Sequence, residues 1–212
     1  MKHVKLYEEW NSTERLNESA DPISTQDKVI KFLEKEGYEV KVSGPYLTVP
    51  LAEDAKVVPP KMQKAINKIR KIAKDGTMMA YQTSVGYWNS NSVMFIFSVR
   101  KANLRKGYHV AAAADVESIL ANGLEPRNAE LHSDQFRPSL GNQNTEQTYK
   151  AAFMVGSKQG VKMVKDLFDI KDPVVLEIDT KGLNLWEDPL MRPESKSAVS
   201  YETIPANKIK KA

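Results

Sequence analysis

Cysteine is absent from the 212 residues. That excludes disulfides and thiolate metal sites, and it allows a reducing compartment without demanding one. Histidine is scarce: His3, His109 and His132 stand alone, without metal-ligand spacing. No apolar run approaches the length of a membrane span, and no apolar core follows the N-terminal lysines as in a signal peptide, so a soluble protein with no membrane partner is expected. Gly-Lys-Ser phosphate loops and Gly-x-Ser-x-Gly nucleophile elbows are missing, as are internal repeats and low-complexity tracts. What is present is 41% hydrophobic and 27% charged residues, the composition of a globular chain. The length suits one large domain or two small ones. The net charge of +4 permits contact with nucleic acid or nucleotide phosphates and requires neither.

Residues 1–20 read as a detachable segment. Val4, Leu6, Tyr7 and Trp10 fall on one face of a short helix among Lys2, Lys5, Glu8 and Glu9. Leu16-Asn17-Glu18 follows, and then Ser19-Ala20-Asp21-Pro22, read as a linker. The arrangement resembles the capsid-targeting peptides of proteins packed inside the heads of large tailed bacteriophages. That resemblance implies a maturation protease cutting after Glu18, and residence in the virion interior followed by the host cytoplasm. The alternative is a frayed terminal helix.

Residues 24–100 read as a small α+β module of order α-β-β-α-β-β. A helix is expected over 27–36, stopped by Gly37. Tyr38–Val42 and Tyr46–Val49 form a hairpin around Ser43-Gly44-Pro45. Pro59-Pro60 opens a second helix over 61–74, with Met62, Ala65, Ile66, Ile69 and Ile72 at helical spacing. Strands over 78–85 and 93–99 flank Tyr87-Trp88. The stretch of the second helix carries Lys56, Lys61, Lys64, Lys68, Arg70, Lys71 and Lys74 before the first acid, Asp75. A nucleic-acid contact through Lys64, Lys68 and Lys71 is one reading, with Tyr87 and Trp88 stacking bases. A solvated helix face, with the two aromatics covering the core edge, is the other.

Residues 107–212 open with an apolar strand, Tyr108-His109-Val110, and a helix over 115–122 that Asp115 can cap and Asn122-Gly123 ends. Strands are expected at Ala151–Val155 and Val174–Ile178, with a last one over 198–203 running into Ile204-Pro205. Before Ala151 lies a long polar loop, 127–148, and Ser157 caps a further helix. Four pieces stand in order: Tyr108-His109-Val110; Ser118-Ile-Leu-Ala-Asn-Gly-Leu124; Val175-Leu-Glu-Ile-Asp-Thr-Lys-Gly-Leu-Asn-Leu185; and Ile204-Pro-Ala-Asn-Lys-Ile209. This order resembles the ADP-ribosyltransferase superfamily and its relatives, the RNA 2′-phosphotransferases.

The resemblance implies a split β-sandwich and NAD as substrate, with transfer of ADP-ribose to a host protein or nucleic acid. It implies cleavage of the nicotinamide–ribose bond through an oxocarbenium ion, which needs negative charge nearby. It gives His109 a ribose hydroxyl, since imidazole can donate at one nitrogen and accept at the other. Otherwise His109 satisfies a backbone carbonyl. Tyr149 or Phe153 would stack on nicotinamide, or belong to the core, and Tyr108 and Arg127 join the implied NAD contacts. The superfamily glutamate falls at Ser197 here, leaving Glu202 and Glu194 as the nearest carboxylates. Arg127, Arg137 and Arg192 match no arginine pattern of the phosphotransferases. An active transferase and a degenerate transferase fold, kept as a packaged or nucleic-acid-binding protein, are therefore both open.

Overall fold

A computed structural model gives the fold and describes residues 21–73, 78–84, 91–128, 144–147, 150–168, 170–191 and 193–212. The candidate targeting segment with Glu18, the Tyr87-Trp88 tip, Lys74, Arg137, Tyr149 and Arg192 lie outside these residues.

The first helix, α1 (Pro22–Lys35), starts five residues before the expected Asp27. The Asp21 carboxylate accepts the Ile23 N–H at 3.1 Å, and Pro22 occupies the first turn, where its missing N–H costs nothing. The pair taken for a linker is thus the helix cap. Strands β1 (Lys41–Ser43) and β2 (Tyr46–Pro50) form a hairpin as expected, but β1 starts at Lys41 rather than Tyr38 and takes in Ser43, which pairs with Tyr46. Then come α2 (Pro60–Ile72), β3 (Met78–Ser84) and β4 (Ser92–Phe97). The α2 residues Met62, Ala65, Ile66 and Ile69 are buried, the stripe their spacing requires. They pack with Val29 and Leu33 of α1 on Leu47, Val49, Val93, Phe95 and Phe97. Truncating one of the larger of these to alanine costs about 2–5 kcal/mol.

The first sheet runs β1-β2-β4-β3-β7, all antiparallel. Its last strand, β7 (Asn144–Gln147), comes from the stretch expected to be a polar loop. Asn-Thr-Glu-Gln has no apolar alternation to betray it, and it adds to an open edge through backbone pairing with β3. The start of the same stretch is also strand, β6 (Arg127–Asn128).

The second sheet is built from β5 (Lys106–Ala112), β8 (Lys150–Val155), β9 (Pro173–Asp179), β10 (Trp186–Glu187), β11 (Ser197–Ser200) and β12 (Ile209–Lys211). Its order is β10-β11-β8-β5-β9-β12, with β6 on β8. One face carries Ala111, Ala152, Met154, Leu176, Ile178 and Ala198, and α3 (Val116–Asn122) covers it with Val116 and Ile119. On the other face Val110 and Val155 meet Val161 and Val164 of α4 (Lys158–Leu167). Towards β10 that same face turns to the first sheet, where Phe153, Trp186 and Val199 meet Tyr46, Met94 and Ile96. Among the described residues the chain is thus a mixed α+β fold of four α-helices and two antiparallel sheets.

Three local details set the site. Asp115 does not cap α3; it lies in a 3-10 turn at Ala113–Asp115 and makes no cap bond. Gly123 ends α3 at φ 91°, and a Cβ there would stand 2.4 Å from the Ile204 carbonyl oxygen. The close approach lets Leu124 and Ile204 exchange backbone hydrogen bonds of 2.9 and 3.0 Å. Strand β11 stops at Ser200 rather than running to Thr203. The Ser200 hydroxyl takes the Glu202 N–H at 3.1 Å and donates to the Glu202 carbonyl at 2.7 Å, closing a turn that competes with the ladder.

Candidate functional site

Strands β5 and β8 pair at one position only, Tyr108 with Val155. Beyond it β5 stays with β9 through Ala112, while β8 turns to β6 at Ala151 and Lys150. The sheet therefore splits beside Phe153. His109 stands at the split, half-buried, and its Nδ1 lies 2.8 Å from the Phe153 carbonyl oxygen. A carbonyl accepts only, so Nδ1 carries the proton and Nε2 is left as a bare acceptor. Desolvation pushes the imidazole below its ordinary pKa; the Phe153 bond and Asp115 raise it, and Arg127 lowers it further. The ring is neutral at pH 7. Asp115 and Arg127 face each other at 3.9 Å, both well exposed.

The other expected residues sit as follows. Directly paired residues share a sheet face, so Tyr108, Val155 and Ser197 point one way and His109 the other. Tyr108 and Phe153, both partly buried, pack against the cluster under α4, and Phe153 also packs against the inter-sheet core. Ser197 is buried, its hydroxyl 3.5 Å from the Asp188 carbonyl. Glu202, expected on the last strand, lies exposed in the turn after it and accepts from Asn184 at 3.3 Å. Glu194 sits exposed in the 3-10 turn Pro193–Ser195. Arg127 begins β6, within electrostatic reach of His109. Asp115, read in the sequence as a helix cap, is the carboxylate that acts on His109.

On α2, Lys64, Lys68 and Lys71 are exposed. Lys61 donates to the Glu36 carbonyl at 2.8 Å and lies over the Tyr38 ring. Lys68 stands 3.8 Å from the Glu36 carboxylate and over the Phe32 ring. Two of the basic residues therefore also fasten α2 to the end of α1.

A second feature escaped the sequence reading. A half-open cavity of about 750 Å³ lies between the two sheets, lined among others by Tyr46, Ser98, Arg100, Asp188, Lys196 and Ser197. Asp188 is 5% exposed. Its Oδ1 accepts the Leu190 N–H at 2.8 Å, and burial raises its carboxyl to about 6. The Ser98 hydroxyl donates to the Glu187 carbonyl, and Tyr201 is hydrogen-bonded to Ser98 with its own pKa raised by burial. Lys196 holds a left-handed φ of 50° between the 3-10 turn and β11. His109 does not line this cavity.

No group of three or more His, Cys, Asp and Glu that could hold a metal ion occurs among the described residues. No helix among them is long and apolar enough to cross a membrane. No protein-family model matches the chain, and no curated protein matches it.

Proposed function

We propose that residues 107–212 form an ADP-ribosyltransferase-like module that binds NAD at the β5–β8 split and passes ADP-ribose to a host protein or nucleic acid. The observation that carries this reading is the His109 bond to the Phe153 carbonyl across the split. It fixes the tautomer and leaves Nε2 as an acceptor for a ribose hydroxyl, in a neutral ring that does not repel the developing oxocarbenium ion. In the reaction the nicotinamide–ribose bond breaks, nicotinamide leaves with the electron pair, and an acceptor nucleophile takes the ribosyl carbon and gives up its proton. Arg127, beside the same imidazole, is suited to the pyrophosphate, with Asp115 holding it in the absence of ligand.

A second reading, a degenerate transferase fold kept as a packaged or nucleic-acid-binding protein, is favoured by the carboxylates. Ser197 stands where the superfamily has glutamate, on the face opposite His109, and Glu202 is held in an exposed turn. Incubating the full chain with NAD labelled in its adenylate half and a bacterial lysate separates the two. Label on protein or RNA, lost in His109→Asn, supports the transferase; absence of transfer, with no NAD binding in a parallel calorimetric titration, overturns the transferase and leaves the degenerate fold. For the proposed packaging, virion-derived protein should begin at Ser19, and an intact Met1 would refute it.

A further inference from the structure

The inter-sheet cavity has the parts of a ligand site that the β5–β8 split does not use. Its volume, about 750 Å³, lies within the usual range for small-molecule sites. Both halves of the chain build it: Gly44 from the β1–β2 turn with Tyr46 and Phe97 of the first sheet, and Asp188, Lys196 and Ser197 from the second half. Its lining includes a buried carboxylate. One oxygen of Asp188 holds the Leu190 N–H, and the other accepts no bond from any described residue. Asp188 lines the cavity, where a ligand N–H can reach this second oxygen, and a hydrogen bond to a charged group is worth more than one between neutral groups. The exposed cations Arg100 and Lys196 also line the cavity. The backbone at Lys196 is held in a conformation that non-glycine residues seldom adopt. Tyr46, Ser98, Ser197 and the exposed Glu187 line the cavity as well, the Ser98 and Ser197 hydroxyls donating to the Glu187 and Asp188 carbonyls and the Tyr46 ring offering a flat surface to a planar body.

We propose that this cavity is a second binding site, for a small molecule that presents an N–H-donating head to Asp188 and an anionic tail to Arg100 and Lys196. A nucleoside monophosphate with an amino-bearing base and a free amino acid with a guanidinium side chain share this chemistry. Because both halves of the chain contribute walls, occupancy fastens the two sheets together and raises the unfolding temperature by mass action.

The test is calorimetry and thermal unfolding of the full chain with guanosine monophosphate, with arginine, and with inorganic phosphate. The expected result is one-to-one binding of one of the first two, with a rise in unfolding temperature that phosphate does not give. Which one binds distinguishes a nucleotide from an amino acid. Asp188→Asn should weaken that binding about tenfold or more, since the bond lost is to a charged group. Replacing Arg100 and Lys196 together with alanine should weaken it through the anionic tail. His109→Asn should leave it unchanged, which separates this site from the split. Failure of both compounds to bind more tightly than phosphate, or equal binding by Asp188→Asn, would overturn the proposal. The Asp188→Asn protein keeps the acceptor for Leu190 N–H, so its folding, checked by the same unfolding trace, does not confound the result.

Discussion

Asp188→Asn tests the electrostatic reading of the inter-sheet cavity through stability alone. The side chain is 5% exposed and its carboxyl is raised from 3.8 to about 6 by burial, with the Leu190 N–H pulling the other way. The folded chain therefore holds this proton more tightly than the unfolded chain. Below about pH 4 both states are protonated and the site costs nothing. As pH rises from about 4 to 6 the unfolded state ionises first, and stability falls. Above about 6 the loss is complete, and at about 1.4 kcal/mol per unit it amounts to roughly 3 kcal/mol. Asparagine has the same shape and keeps the acceptor for Leu190, but it never ionises. Its new amide N–H₂ needs a partner and returns about 1 kcal/mol of the gain. Urea unfolding at several pH values should thus show the variant no more stable than the parent at pH 4, and about 1–3 kcal/mol more stable at pH 7. His109, whose pKa is lowered, acts in the opposite direction and cancels in the difference between the two proteins. A variant that is less stable than the parent by the same amount at both pH values would mean instead that the ionised carboxylate is paired.

Gly123→Ala should lower stability by about 1–3 kcal/mol, because φ is 91° and the added Cβ meets the Ile204 carbonyl; chemical denaturation measures it. Ser197→Glu puts a second carboxylate into the cavity beside Asp188, on the face away from His109. It should destabilise the fold by a few kcal/mol and leave NAD binding at the split unchanged, as unfolding and calorimetry will report. Replacing Lys64, Lys68 and Lys71 with Gln should weaken binding to single-stranded RNA or DNA and flatten its salt dependence by about one released counterion per lost contact. Absence of binding by the parent at low salt would leave these lysines a solvated face that Lys68 helps fasten to α1.

The helices and central strands were legible because their apolar periodicity is strong. The α2 stripe of Met62, Ala65, Ile66 and Ile69, the Ser157 cap and the Gly123 stop all lie where the pattern puts them. The start of α1 was missed because Asp21-Pro22 reads equally as linker and as cap plus first turn. The strand β7 was missed because an edge strand held by backbone bonds needs no apolar alternation. The end of β11 was misplaced because the Ser200 hydroxyl closes a local turn that strand alternation cannot foresee. At the candidate site, the company His109 keeps in the chain singles it out, while its bond to Phe153 depends on a strand 44 residues away. Asp188 gave no signal at all. One aspartate in an irregular stretch is ordinary until two sheets close over it.

In the proposed module His109 serves the fold through Nδ1 and NAD through Nε2. Asparagine can place its amide N–H₂ near Nδ1 and has nothing at Nε2, so His109→Asn should hold the Phe153 carbonyl and keep stability within about 1 kcal/mol of the parent. His109→Ala, which leaves that carbonyl without its donor, should lose about 1–3 kcal/mol of stability. Calorimetric titration of NAD into the parent and His109→Asn is the most direct measurement. The parent should bind NAD, and affinity should be about tenfold lower in an equally stable His109→Asn protein. Equal NAD affinity in the two proteins, or no NAD binding by the parent, would contradict it.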